Sequence, residues 1–192
     1  MRITVFLGSK DGVGPGYLAA ARDFGTAIAR AGAGLVYGGA GIGLMSAVAD
    51  AALEAGGEVI GVMPQGLVRR EGLRTDLTAM HVVETIHERK ALMAELGDAF
   101  VSLPGGLGTM EELFEIWTWA QLGFHAKPVA LLNVQGFFDP LTAFIEHAAR
   151  QGFLTEADRG LIHVDDDPAR LLEWVLTEAE RRRDLPEDLS RI

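Results

Sequence analysis

One stretch limits what this chain can fold into: Leu103-Pro104-Gly105-Gly106-Leu107-Gly108-Thr109-Met110-Glu111-Glu112. Before it, residues 98–103 are a short apolar run of the length and makeup of a buried strand. After it, residues 109–122 place apolar side chains at helical spacing. The glycines between them permit a tight turn and close approach of backbone to a ligand. Strand, glycine turn and helix together aim backbone N–H groups at a phosphate. Glu111 and Glu112 fall in the first turn of that helix, so carboxylates flank the cradle. A cradle of this kind beside acidic groups points to a site that processes a nucleotide rather than one that only holds it.

The same alternation runs along the chain. Strand-like runs are read at 2–7, 35–37, 58–63, 79–83, 98–103, 128–132 and 160–164. Helical runs are read at 17–31, 44–55, 85–96, 109–122, 140–150 and 168–183, and residues 64–78 read as irregular. Alternating strands and helices predict an α/β fold, a doubly wound parallel sheet with helices on both faces. No linker or repeat interrupts the pattern, and 192 residues suit one domain spanning 1–192. Ligands bind such sheets beyond the carboxyl ends of the strands. The pairs Gly8-Ser9, Gly38-Gly39 and Gly105-Gly106 each follow a strand, so they are expected to meet on one rim.

Composition narrows the ligand. Hydrophobic residues make up 48% of the chain and charged ones 23%, enough to bury a core and too apolar for a disordered segment. The net charge of −10 argues against binding nucleic acid or an anionic membrane. An anionic small molecule then requires a local group of cations. There is no cysteine, which removes thiolate chemistry, and the five histidines lack metal-ligand spacing, so no metal is expected. No apolar run is long enough to span a bilayer. Met1-Arg2 leads at once into Ile3-Thr4-Val5-Phe6-Leu7, a first strand rather than the core of a secretory leader, and the expected compartment is the cytoplasm.

Each candidate has a structural alternative. Thr109-Met110-Glu111-Glu112 has the form of a capping box, in which Thr109 caps the helix and Glu112 returns to its N–H. Thr109 can equally offer its hydroxyl to phosphate. At the positive end of a helix, Glu111 and Glu112 are expected to be ionised. Gly39-Ala40-Gly41-Ile42-Gly43 lacks dinucleotide spacing and serves close packing as readily as ligand contact. Arg89 and Lys90 are either solvated charges or cations at the rim, and Glu71, between Arg70 and Arg74, is either surface or site. Phe114, Trp117 and Trp119 at helical spacing read as core or interface. Arg181-Arg182-Arg183 reads as a solvated helix end that complements the dipole.

These residues together resemble the Lonely Guy (LOG) family, whose members are often mislabelled lysine decarboxylases. Pro104 to Glu112 matches the hallmark P-G-G-x-G-T-x-x-E without a gap, and Arg89-Lys90 matches its upstream R-K. Tyr37-Gly38-Gly39 with Gly43-Leu44-Met45, and Thr118-Trp119-Ala120-Gln121-Leu122-Gly123, resemble two further family motifs. In the first loop, Gly8-Ser9-Lys10-Asp11-Gly12, a single Ser stands where the family commonly has two, and Ala40 and Ser46 replace glycines. The resemblance implies a Rossmann-like fold, a homodimer and no cofactor. It implies hydrolysis of the N-glycosidic bond of nucleoside 5′-monophosphates, AMP or cytokinin riboside monophosphates, to free base and ribose 5-phosphate. Arg89 and Glu112 would be the catalytic pair. Ser9, Gly38, Gly39, Glu71, Lys90, Gly105, Gly106, Gly108, Thr109, Glu111 and Thr118 would line the substrate site with Arg89. The alternative is a non-catalytic carrier or sensor of a phosphorylated, nucleotide-like ligand.

Overall fold

The computed structural model describes residues 1–71 and 73–189, with the side chains at 70 and 71 also outside the described part. The strands are β1 (Arg2–Phe6), β2 (Gly34–Tyr37), β3 (Val59–Pro64), β4 (Ala79–Val83), β5 (Ala99–Ser102), β6 (Val129–Leu132) and β7 (Ile162–Asp165). The helices are α1 (Gly16–Arg30), α2 (Gly43–Glu54), α3 (Gln65–Glu71), α4 (Ile86–Leu96), α5 (Leu107–Gln121), α6 (Asp139–Arg150), α7 (Glu156–Arg159) and α8 (Pro168–Arg182). All strands are parallel, in the order β4-β3-β2-β1-β5-β6-β7. This is the doubly wound, Rossmann-like sheet that the alternation predicts.

Side chains alternate across the strands and divide the core in two. Ile3, Val5, Leu35, Tyr37 and Val101 pack with α1, α2 and α8 on one face. Phe6, Val36, Val62, Phe100 and Leu131 pack with α4 and α5 on the other. Phe6 and Phe100, on neighbouring strands, stack with ring centroids 6.1 Å apart. Thr4 is the polar exception: fully buried on the α4 face, its hydroxyl donates to the Met93 carbonyl at 2.9 Å, so it costs little to bury. Among the described residues no helix is long and apolar enough to cross a membrane.

Topology fixes the site. The chain winds outward from β1 through β2 and β3 to β4, then returns through α4 to β5, beside β1. Connections therefore leave β1 and β5 in opposite directions, and a crevice opens beyond their carboxyl ends. There the Gly8 amide donates to the Pro104 carbonyl at 3.1 Å, joining the first loop to the Pro-Gly-Gly turn. Gly43, at φ +58°, carries the second loop against the first; a Cβ there would stand 2.4 Å from the Ser9 carbonyl carbon.

Two local expectations are corrected and two short elements are added. Residues 64–78 are not wholly irregular, since α3 forms directly after β3. Helix α5 begins at Leu107 rather than at Thr109. The short α7 was hidden in a polar segment, where Thr155 and Asp158 form a capping box. A single 3-10 turn, Val134–Gly136, precedes α6, with Gln135 at φ +53°.

Helices α1 and α2 meet at Gly25, where a Cβ would lie 2.2 Å from the Val48 carbonyl oxygen. In an open helix Gly→Ala gains about 1 kcal/mol, whereas overpacking against backbone costs about 1–3 kcal/mol. The contact is with main chain and cannot swing aside, so packing decides the sign. Gly25→Ala is expected to destabilise the fold by about 1–2 kcal/mol, read as a lower urea midpoint at unchanged slope.

Candidate active site

A cleft of about 810 Å³ occupies the crevice at the carboxyl ends of β1 and β5. Its floor is Gly8, Ser9 and Gly105, one wall is the first turn of α5, and the other is α4 with Arg89. A second hollow of about 540 Å³ lies at the opposite end of the sheet, by Arg2 and Asp98. Polar groups there already satisfy one another: Arg2 Nε pairs with Glu58 at 2.9 Å, and the Arg2 amide donates to Asp98 at 2.7 Å. The cleft at the switch point is the candidate site.

The start of α5 is built for an anion. Gly106 precedes its first turn, and no side chain hydrogen-bonds the amides there. Leu107, Gly108 and Thr109, which carry those amides, line the cleft. Free N–H groups and the helix dipole together attract negative charge. The turn closes tightly because Gly105 has no side chain: a Cβ would sit 2.0 Å from the Thr109 hydroxyl. Thr109 is consequently buried against the turn at the third helical position and is not the cap. The capping-box alternative for Thr109 and Glu112 is thereby overturned.

Glu112 lies one turn further on and is 8% exposed. Burial pushes its carboxyl up to about 7; Arg89 opposes the shift and Glu111 adds to it. The expectation that the helix end keeps Glu112 ionised is corrected, because desolvation outweighs the dipole. Arg89, also 8% exposed, comes from α4. Its Nε donates to the Val62 carbonyl at 3.1 Å, and its Nη1 stops 3.8 Å from Glu112 Oε1. The guanidinium lies over Gly38, where a Cβ would be 1.9 Å from Nη2. Only glycine at 38 leaves Arg89 this place.

Lys90 points to the other side of α4. Its ammonium hydrogen-bonds Glu111 and lies 2.7 Å from Glu115 Oε2. Burial opposes its charge, but the two glutamates outweigh burial and hold it above the usual lysine range. Lys90 thus ties α4 to the first turns of α5 rather than facing the cleft. Glu111 is its partner. Thr118 lies roughly 16 Å along α5 from the helix start, and its hydroxyl donates to the Phe114 carbonyl at 2.7 Å. Gly39 packs against Met80. Glu71 has its side chain outside the described residues. Of the sequence candidates, the cleft brings together Ser9, Gly38, Arg89, Gly105, Gly106, Gly108, Thr109 and Glu112.

Sequence reasoning missed several cleft residues. Lys10 and Tyr17 come from the first loop and α1, and Phe137 reaches in from the loop after β6. Tyr17 and Phe137 meet edge-to-face with centroids 6.0 Å apart. Lys10 could have been found as a cation in a glycine loop after a strand; Phe137 carries no local signal. Glu115, outside the cleft, pairs Lys90 and could have been found from its place four residues after Glu111 on the same helix. Of the α5 aromatics, Trp117 is core, its indole N–H donating to the Asp158 carbonyl at 3.0 Å, while Phe114 stacks on it and stays partly exposed. Arg181 and Arg182 both pair with Glu178 in the last turns of α8, in keeping with the solvated helix end expected there.

A family model described as "possible lysine decarboxylase" matches residues 45–175. The cytokinin riboside 5′-monophosphate phosphoribohydrolase of Rhodococcoides fascians is 51% identical over 166 residues, 86% of this chain and 84% of that protein. The chain belongs to the LOG family. The LOG phosphoribohydrolase of rice, Oryza sativa subsp. japonica, is 48% identical over 161 residues, 84% of this chain and 66% of that protein. Among solved structures, the molybdenum cofactor carrier protein of Chlamydomonas reinhardtii superposes with a TM-score of 0.70 at 26% identity. That match covers 93% of this chain and 98% of the other. The decarboxylase description agrees poorly with Lys90: a lysine that forms a Schiff base needs a depressed pKa, and this one is held protonated by two carboxylates.

The buried carboxyl couples stability to pH. Its native pKa lies above the unfolded value, so the native state binds the extra proton between the two. Stability is therefore fullest below the ordinary glutamate range and falls as pH rises through about 7, a loss of about 3 kcal/mol. Glu112→Gln removes that dependence. The variant is expected to be more stable than the parent at pH 8 by about 1–3 kcal/mol and nearly equal at pH 4.5. Urea unfolding at the two pH values checks this; equal destabilisation at both would show that the carboxyl is not desolvated.

Proposed function

We propose that this protein hydrolyses the N-glycosidic bond of nucleoside 5′-monophosphates, releasing free base and ribose 5-phosphate. Relatives named for this activity at 48–51% identity support the reading. The observation that carries it for this chain is Glu112, a buried carboxyl with a pKa of about 7, set one turn inside an uncapped helix N-terminus.

The 5′-phosphate docks on the amides at 106–109, with the Thr109 hydroxyl beside them. Docking there presents the ribose to Glu112 and Arg89. As the C1′–N bond breaks, the base leaves with the bonding pair and gains a proton, and positive charge builds on the sugar. A carboxylate in a site of low polarity stabilises that charge more in the transition state than in the ground state. Ionised Glu112 also accepts a proton from the water that adds to C1′. Its poise near neutrality suits this role, since such a group can exist as a base and still hold a proton strongly. Arg89 orients the anionic end and keeps Glu112 from becoming permanently protonated. Lys90 acts at one remove, fixing α4 against α5 so that Arg89 and Glu112 hold their spacing. The phosphoribohydrolase is further proposed to work as a cytoplasmic homodimer, with exposed Phe114 on α5 and Leu122 at its C-terminal end as apolar contact surface.

A carrier of phosphorylated ligands is the second reading, and the fold shared with a cofactor carrier favours it. A carrier has no use for a desolvated carboxyl that weakens the fold at neutral pH, so the enzyme reading is preferred.

Incubation with AMP and an N6-modified analogue, with assay of free base, tests the proposal: turnover supports an enzyme, and no base from either sinks it. Glu112→Gln is expected to lower kcat by about 10²–10⁴ while the fold remains. Because the ionised form is the active one, kcat/KM should rise with pH through about 7 and level off above it. Arg89→Ala should lower both affinity and turnover; unchanged values for both would place Arg89 outside the chemistry.

A further inference from the structure

Three charged side chains line the cleft among the described residues: Lys10, Arg89 and Glu112. Arg89 is already engaged, tied to the Val62 carbonyl and facing Glu112. When Glu112 is ionised the two charges offset each other, so Arg89 orients the phosphate but leaves the deep part of the cleft without the net positive charge that a dianion needs. Lys90 is spent on Glu111 and Glu115. Lys10 forms no ion pair with a described residue, and its side chain is exposed on the cleft lining.

Its backbone is held. The first loop is pinned at Gly8 by the hydrogen bond to Pro104, and Gly43 packs against the Ser9 carbonyl and the Lys10 amide. Gly8 in turn abuts Gly105 in the turn that leads into α5. Lys10 thus stands two residues from Gly8, which abuts the phosphate turn, with a held main chain and an exposed, flexible ammonium. A compact point charge on a four-carbon stem suits a phosphate whose oxygens are already partly bound by amides. In a protein of net charge −10, a dianion approaching the cleft needs such a local cation.

From this arrangement we infer that Lys10 binds the substrate's 5′-phosphate from the rim, opposite the α5 amides, and so distinguishes nucleotides from nucleosides. This rests on the phosphoribohydrolase reading for the placement of the phosphate, but its test does not depend on turnover. Lys10 is a binding residue and takes no part in breaking the glycosidic bond.

The experiment compares the parent with Lys10→Gln and Lys10→Arg, measuring KM and kcat for AMP at low and high salt. Binding of AMP and of adenosine is measured in parallel by calorimetry on the Glu112→Gln background. Lys10→Gln is expected to raise KM for AMP about tenfold at low salt, with kcat changed less than about twofold. The effect should shrink at high salt. Adenosine affinity should be unchanged, and Lys10→Arg should restore most of the AMP affinity. An unchanged KM and AMP affinity in Lys10→Gln overturns the inference, as does an equal loss for adenosine. Absence of base release with the AMP-binding difference intact would overturn the hydrolase reading and leave the role of Lys10 standing. Failure of the parent to bind AMP would overturn both.

Discussion

A largely buried carboxyl on the cleft wall faces a guanidinium held just beyond hydrogen-bond distance, and the rest of the site is arranged to keep them so. Buried alone, Glu112 would take up a proton and stay neutral. Hydrogen-bonded squarely to Arg89, it would stay ionised and be poorly basic. The 3.8 Å separation lies between these limits. Arg89 is kept there because its Nε is committed to the Val62 carbonyl on β3. Glu112 is kept there because Lys90 grips Glu111 and Glu115 on either side of it in the sequence. Adjacent residues of α4 thus serve different ends, one facing the cleft and the other fixing the helix that supplies its partner.

The glycines are the steric counterpart of this electrostatic arrangement. Gly38 makes room for the guanidinium and Gly105 for the Thr109 hydroxyl. In both cases the missing Cβ would fall on a polar atom that the site uses. A packing role and a ligand role for glycine are therefore not true alternatives at 38 and 105: the close packing is what places the ligand groups. Gly39, next in sequence, packs on Met80 and does not line the cleft.

The architecture was legible in the sequence because short continuous apolar runs alternate with helical runs everywhere except at 64–78, and all seven strand segments fall where that pattern puts them. The convergence of the Gly8, Gly38 and Gly105 loops followed from topology alone. Local chemistry was read less well. Thr85-Ile86-His87-Glu88 and Thr109-Met110-Glu111-Glu112 have the same capping-box form. The first is a capping box, with the Glu88 amide donating to the Thr85 hydroxyl at 3.1 Å. The second is not, because the flexible Gly105-Gly106 turn lets α5 start two residues earlier and moves Thr109 inside it. The protonation of Glu112 was misread for a related reason. A helix end favours the charged form by roughly 0.3–1 kcal/mol at an exposed position, while full desolvation acts on a scale several times larger. Burial depends on what packs from α4 and β3, which no window around residue 112 contains.

The same imbalance explains why such a group is tolerated. Both hydrophobic faces of the sheet are closed without the cleft, by α1, α2 and α8 on one side and by α4 and α5 on the other. The rim at the switch point lies outside both, where the cleft opens beyond the carboxyl ends of β1 and β5. A buried ionisable group placed there weakens the fold by a few kcal/mol without opening a void in either core. His125 makes the contrast. Equally buried, beneath the end of α5, it accepts the Lys127 amide at Nδ1, and its Nε2 pairs with the Ile116 carbonyl at 3.0 Å. Burial lowers its pKa to about 4, so it stays neutral and satisfied at physiological pH. One buried titratable group has every polar atom partnered and belongs to the scaffold. The other, in the cleft, has its nearest cation out of hydrogen-bond reach, and this difference in satisfaction rather than in burial separates a structural residue from a reactive one.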